Sequence, residues 1–275
     1  MTDSRPPIPS AIKREVRQRC GFGCVICGLP LYEYEHMAGW AKHPSHAAVE
    51  MTLLCDRHHK ERTNKLLPIE VVRKANENPH NRRTGLSSGF ALHYFGLRAV
   101  VTLGSNHFTA PLTERSGPLI PVLVDGVPLV SFRREDHRML LTLELNDQED
   151  RPLIRIVDNE LVYVIDSAWD FDFVARTLII RNGPRKIVFR VQFAVPDTLA
   201  IETATLWKNG VGIVVRDGSL SMLNAGWASK GSRFENFNAG IVVGKMLDGY
   251  AGCIVFDNVP RFRWNSSGIF ALGKL

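Results

Sequence analysis

Hydrophobic and polar positions change their rhythm once along this chain. Ile12 and Val16 recur one helical turn apart, so the pattern predicts a short helix from Ala11 to Arg19 with Ser10 as its N-cap. A second helical stretch is predicted over Asn64 to Asn76, with Pro68 in its first turn. The tract from Asn76 to Gly85 is polar throughout and reads as a linker, which puts a domain boundary near residue 88. Beyond about residue 95 the helical period nearly vanishes. Met139 to Leu145 (MLLTLEL) and Ile187 to Phe193 (IVFRVQF) alternate with period two, and Leu178 to Ile180 is a further apolar run. Asp125-Gly126, Asn182-Gly183, Asn209-Gly210, Asp217-Gly218 and Asp248-Gly249 punctuate these runs. Such pairs tolerate positive φ and mark hairpins. Asn238-Ala-Gly-Ile-Val-Val and Ala251-Gly-Cys-Ile-Val-Phe echo each other faintly, as stacked rungs would. The expected fold class is therefore α+β. Residues 1–88 form a small N-terminal module, and residues 89–275 form an all-β domain, a sandwich or a stack of strands.

Composition narrows the class without naming a function. With 275 residues, 45% hydrophobic and 23% charged, the chain has ample apolar material for a core, and global disorder is excluded. The longest weakly polar stretch, Pro118 to Phe132, contains three prolines and Asp125 and falls short of the roughly 18 residues of a membrane helix. No membrane partner is expected, and the opening residues MTDSRPPIPS lack the apolar region of a secretory leader, so a cytoplasmic protein is expected. The net charge of +6 is uneven. Met1 to Leu86 carries 14 Lys+Arg against 9 Asp+Glu, together with six of the nine histidines. A compact basic segment rich in Cys and His suggests a metal-bearing module that meets a polyanion. A solvated basic face without a partner is the plainer alternative, and motifs must decide between them.

Four of the five cysteines precede residue 56, a clustering that suits metal ligands better than a disulfide framework. Cys24-x-x-Cys27 and Cys55-x-x-His58 are two matched pairs that fit one tetrahedral structural Zn²⁺. Cys20, at a usable spacing from Cys24, is read as the spare thiol, and Cys253, in a β run, as a buried small hydrophobe. Between the pairs lies Tyr34-Glu35-His36-Met37, and His59 follows the second pair at once. Hydrolysis of a phosphodiester needs a general base and a cation to neutralise phosphate charge. His36 is the candidate base, since an ordinary imidazole pKa of about 6.5 leaves it largely neutral at pH 7.

The order CxxC, Glu-His, Leu-Leu-Cys-Asp-Arg-His-His, Lys-Glu-Arg resembles the HNH endonuclease family in its zinc-stapled ββα-metal form. The resemblance runs from Arg17 to Leu67 and is most specific at Leu54-Cys55-x-x-His58-His59. Ile156 to Leu161 and Phe173 to Arg181 also resemble a domain that accompanies such nucleases, with no activity attached to it. What the N-terminal resemblance implies is a ββα module in which Glu35 and His59 hold a catalytic Mg²⁺ or Mn²⁺ and His36 activates water. The family's middle Asn falls here at Glu50, whose carboxylate accepts hydrogen bonds but donates none. Glu50 is kept as a catalytic candidate that could approach the metal. Asn64 is a weak candidate accessory ligand, and His43 and His46 are read as loop or cleft residues. Lys60, Arg62 and Lys65 are the candidate contacts to DNA phosphates, which position a duplex without reading it. The expected function is a metal-dependent DNA endonuclease, with restriction or anti-phage defence as a setting by analogy. The alternative is a zinc-stapled DNA-binding protein without cleavage activity. The β-rich half would target, sense or join two copies into a homo-oligomer.

Overall fold

The computed structural model describes residues 6–40, 44–264 and 270–273. The chain forms two compact units, Met1–Phe90 with Val162–Val174, and Ala91–Leu161 with Ala175–Leu275. The fold is mixed α+β and mostly strand.

The first unit opens with α1, Ser10–Cys20. Pro9 rather than Ser10 is its N-cap, and no side chain caps it. The Pro9 carbonyl accepts the Lys13 N–H at 3.0 Å, so Ser10 lies inside the first turn. Gly21, at φ +70°, closes the helix and lets the Phe22 N–H reach the Arg17 carbonyl at 2.9 Å. Strand β1 (Glu33–His36) pairs antiparallel with β2 (Met51–Leu54), and α2 (Asp56–Thr63) follows β2 directly. The expected helix over Asn64 to Asn76 begins only at Ile69, as α3 (Ile69–Glu77), because Asn64 caps the end of α2 and Lys65 turns to φ +63°.

The expected polar linker is also different. It contains a short helix, α4 (His80–Thr84), anchored by the His80 N–H on the Val25 carbonyl at 3.0 Å. Asn81, fully buried, donates its Nδ2 to the Gly21 carbonyl at 2.8 Å. Val16, Cys20, Val25, Met51, Leu53, Leu54 and Val72 make the core, with Ile12 packed against it. Val162–Val174, expected in the β domain, belongs to this unit. Its Phe171 meets Phe22 edge-on at 5.1 Å and stacks on Tyr163 at 4.8 Å.

Two large sheets build most of the second unit, and Arg261–Trp264 pairs antiparallel with Phe270–Gly273 in a small separate one. In one large sheet, the spatial order runs Gly252–Phe256, Ala239–Val243, Leu119–Val124, Val127–Glu135, Arg138–Asn146 and Pro152–Val157. The other runs Thr177–Arg181, Ile187–Ala194, Thr198–Lys208, Val211–Arg216, Ser219–Met222 and Trp227–Lys230. Alternation set the faces as the sequence pattern requires: Leu141, Leu143 and Leu145 are buried, as are Phe189, Val191 and Phe193. Asp125-Gly126, Asn209-Gly210 and Asp217-Gly218 have positive φ at both residues and join antiparallel neighbours. Asp248-Gly249 does not make a hairpin, since the strands on either side of it, Ala239–Val243 and Gly252–Phe256, run parallel. Their register, Ala239 opposite Gly252 and Ile241 opposite Ile254, is that of the faint sequence echo. Cys253, expected to be buried, is half-buried, and desolvation still pushes its thiol up to about 11. Among the described residues, no helix is long and apolar enough to cross a membrane.

Candidate metal centre and histidine cluster

Two turns bring four donors together. Cys24 and Cys27 sit on a knuckle in which the Gly28 N–H returns to the Cys24 carbonyl at 2.7 Å. Gly28 has φ +76°, and a β-carbon there would meet Asn81 Oδ1 at 2.3 Å, so the packing of α4 on the knuckle demands glycine. Cys55 is the residue before α2 and His58 lies in its first turn, three positions on, which aligns both on one face. Cys24 Sγ and Cys55 Sγ lie 3.3 and 3.2 Å from His58 Nδ1, and Cys27 Sγ lies 3.7 Å from Cys55 Sγ. One donor atom from each of the four falls within 4.8 Å of all the others, close enough to hold a metal ion.

The thiols are unequal. A hydrogen bond from Cys27 holds the Cys24 thiol down at about 4, while the same bond and then burial push Cys27 up. Cys55 is raised first by desolvation. Cys20 stands outside the group. It is buried beside Thr52 Oγ1 and Asn76 Oδ1, at 3.7 Å from each, and desolvation raises its thiol.

The β1–β2 register sets Glu33, Tyr34, Glu35 and His36 opposite Leu54, Leu53, Thr52 and Met51. Strand alternation then turns Glu33 and Glu35 to one face and Tyr34 and His36 to the other. On the first face α2 presents His59, whose Nε2 is 3.2 Å from Glu35 Oε2 and whose Nδ1 is 3.4 Å from Glu33 Oε2. Glu33 has no place in the sequence reading, although its position two before Glu35 in a strand is a signal for it. His36 is buried, at 6% exposure. Its Nε2 is 3.2 Å from His46 Nδ1, and His46 Nε2 is 2.8 Å from the Pro6 carbonyl. The Trp40 ring lies 5.3 Å from the His36 ring and 4.8 Å from that of His46.

The remaining candidates are scattered more widely. Glu50 ends a 3₁₀ turn with its side chain exposed, and its backbone carbonyl, not its carboxylate, accepts the Met37 N–H at 2.9 Å. Lys60 and Lys65 are exposed. Arg62 is half-buried, with its Nε enclosed and lacking a hydrogen-bond partner. Arg57 is committed to Glu61 at 2.9 Å. Asn64 is exposed at the end of α2, and His43 lies outside the described residues. No family model, curated protein or solved structure matches the chain.

Proposed function

We propose that the chain is a metal-dependent DNA endonuclease that works by HNH-type chemistry on a zinc-stapled ββα module. The observation that carries the reading is the meeting of Glu35 and His59 at 3.2 Å, one from a hairpin strand and one from the helix that follows it, with His36 the next residue on that strand. Cys24, Cys27, Cys55 and His58 fit Zn²⁺ by chemistry and by spacing. A tetrahedron with Zn–S bonds of about 2.3 Å has S–S edges of about 3.8 Å, against 3.7 Å from Cys27 to Cys55. Glu35 and His59 fit a hard divalent ion, Mg²⁺ or Mn²⁺, which takes few protein ligands and keeps places for water and phosphate oxygens. Such an ion, when bound, supplies positive charge to the phosphate. The side chains do the rest. His36 takes the proton of the attacking water on a ring nitrogen. Lys60 and Lys65, exposed along and just past α2, neutralise flanking phosphates, and Arg62 lends charge while packing its stem.

The second reading is a zinc-stapled module that binds DNA without cutting it. Its support is specific: His36 is 6% exposed and its ring touches His46 and Trp40, and the Met37 N–H bonds to the Glu50 backbone carbonyl. Incubating pure protein with supercoiled plasmid in Mg²⁺, in Mn²⁺ and in EDTA separates the two. Nicked or linear product that depends on the divalent ion supports the nuclease. Retarded but intact plasmid in all three supports the binding module. Comparing nicking with double-strand cutting across protein concentrations tests whether two copies act together.

A further inference from the structure

We propose that His46 is the positioning residue of His36, and that a chain of hydrogen bonds from Pro6 through His46 fixes which nitrogen of His36 carries the lone pair. The inference rests on the nuclease reading for its consequence, but not for its geometry. The Pro6 carbonyl can only accept, so His46 Nε2, at 2.8 Å, must donate its proton there. A neutral His46 then has only a lone pair at Nδ1. The His36 Nε2 that lies 3.2 Å from it must therefore be the donor. A neutral His36 with its proton on Nε2 holds its lone pair on Nδ1. Each tautomer is thus dictated by the one before it, starting from a backbone oxygen that cannot change its role.

The rings are also held in orientation. Trp40 packs against both imidazoles, with centroids 4.8 Å from His46 and 5.3 Å from His36. During cleavage the water oxygen would bond to phosphorus and its proton would pass to His36 Nδ1. The phosphorus bond to the leaving sugar oxygen would break, and that oxygen would take a proton from solvent. The imidazolium left behind keeps its Nε2–H on His46 Nδ1, so the charge that forms on His36 already has an acceptor in place.

Glu50 ends an exposed 3₁₀ turn, while the loop that ends in His46 brings a partner to the base.

The test uses the full chain labelled with ¹⁵N in histidine, with spectra recorded over a pH series that extends above the ordinary imidazole range. The expected result is His36 protonated at Nε2, with a scalar coupling across the hydrogen bond between His36 Nε2 and His46 Nδ1. His46→Ala should abolish the coupling and expose the Nε2 proton to solvent exchange. His46→Asn, whose Oδ1 can replace the accepting Nδ1, should keep that proton protected. In the plasmid assay His46→Ala should lower kcat about 10- to 100-fold, the usual effect of losing an orienting partner, with KM for DNA unchanged. His46→Asn should restore most of the rate. A wild-type His36 protonated at Nδ1, or a His46→Ala variant that cuts at the parent rate, would overturn the proposal. A parent that never cuts in Mg²⁺ or Mn²⁺ while its His36–His46 coupling is present would refute the nuclease reading and still support the histidine chain.

Discussion

Removing the Asp170 carboxylate should loosen the first unit from a distance of 153 residues along the chain. Arg17, on α1, donates Nε to Asp170 Oδ1 at 2.9 Å and Nη2 to Asp170 Oδ2 at 2.8 Å. The two side chains are 6% and 1% exposed, so neither charge has water to fall back on. Burial works against the guanidinium charge, but the Asp170 hydrogen bond and the electrostatic attraction of Tyr32, Tyr34 and Asp170 together outweigh it, and the Arg17 pKa ends above its usual value. Breaking one partner of such a pair costs about 3–5 kcal/mol, because the survivor stays buried and uncompensated. Asp172 at 3.3 Å and Tyr34 Oη at 2.9 Å remain for Nη1, which places Asp170→Ala at the lower end, about 3 kcal/mol. Asp170→Asn keeps shape and one acceptor and should cost about 1.5–2 kcal/mol, the worth of a hydrogen bond to a charged group. Replacing both partners, Arg17→Met with Asp170→Leu, should come out near neutral. Hydrogen exchange of the Ser10–Cys20 amides reads this directly. A loss of about 3 kcal/mol raises the opening equilibrium roughly 100-fold. If Asp170→Ala changes α1 protection by less than about tenfold, the pair is not buried in solution and Val162–Val174 is not an integral part of the first unit.

Metal analysis of purified protein should give about one zinc per chain, retained in Cys20→Ser and lost in Cys27→Ser, whose N-terminal unit should unfold because a structural site contributes on the order of 10 kcal/mol. Adding zinc to the metal-free protein at pH 7 should release protons, because the bond to Cys24 and burial raise the Cys27 thiol, burial raises that of Cys55, and only a thiolate ligates. Zinc uptake with no proton release, read with an indicator dye, would mean that these thiols are not the ligands. His36→Ala should slow plasmid cleavage about 10²- to 10⁴-fold with zinc content and DNA affinity unchanged. Glu35→Ala and His59→Ala should be partly rescued by raising Mg²⁺ or Mn²⁺, and equal rescue of His36→Ala would refute the division of roles. Lys60→Ala and Lys65→Ala should each reduce the salt slope of DNA binding by about one, whereas Arg57→Ala, its charge already engaged by Glu61, should change it less.

The local features were legible because their causes are local. Two donor pairs with two residues between them, apolar residues one helical turn apart, strict alternation in MLLTLEL and Asp-Gly at positive φ all act within a few positions. What the sequence hid depends on partners elsewhere in the chain. The tract from Asn76 to Gly85 is polar, yet Asn81 is fully buried because the Gly21 carbonyl takes its proton, and α4 seats against Gly23 and Gly28. Polar composition marks a linker only where polar groups have water for a partner. The turns at Asp136-His137 and Asp158-Asn159 carry positive φ without glycine, so the usual dipeptide signal is missing. Membership of Val162–Val174 in the first unit rests on Asp170 and Phe171, whose partners Arg17 and Phe22 lie more than a hundred residues earlier.

The same contrast explains why half of the candidate site was readable and half was not. Glu35 and His36 are adjacent, and on a strand adjacent side chains leave by opposite faces. Glu35 therefore belongs with Glu33 and with His59 on α2, a group generated by strand period and by the short step from Cys55 into the helix. Those are spacings, and a spacing can be seen in a sequence. His36 belongs instead with Trp40, His46 and the Pro6 carbonyl, drawn from a loop and an extended lead-in that have no period at all. On the proposed mechanism the dipeptide couples two groups with separate control: the helix side would set ion affinity, and the loop side would set the tautomer of the base. Variants on the helix side should respond to added divalent ion, and variants on the loop side should respond only to a replacement acceptor at position 46. A sequence that kept Cys24, Cys27, Glu35, His36, Cys55, His58 and His59 but lost His46 would look intact by spacing, and on this geometry it would lack the partner that orients His36.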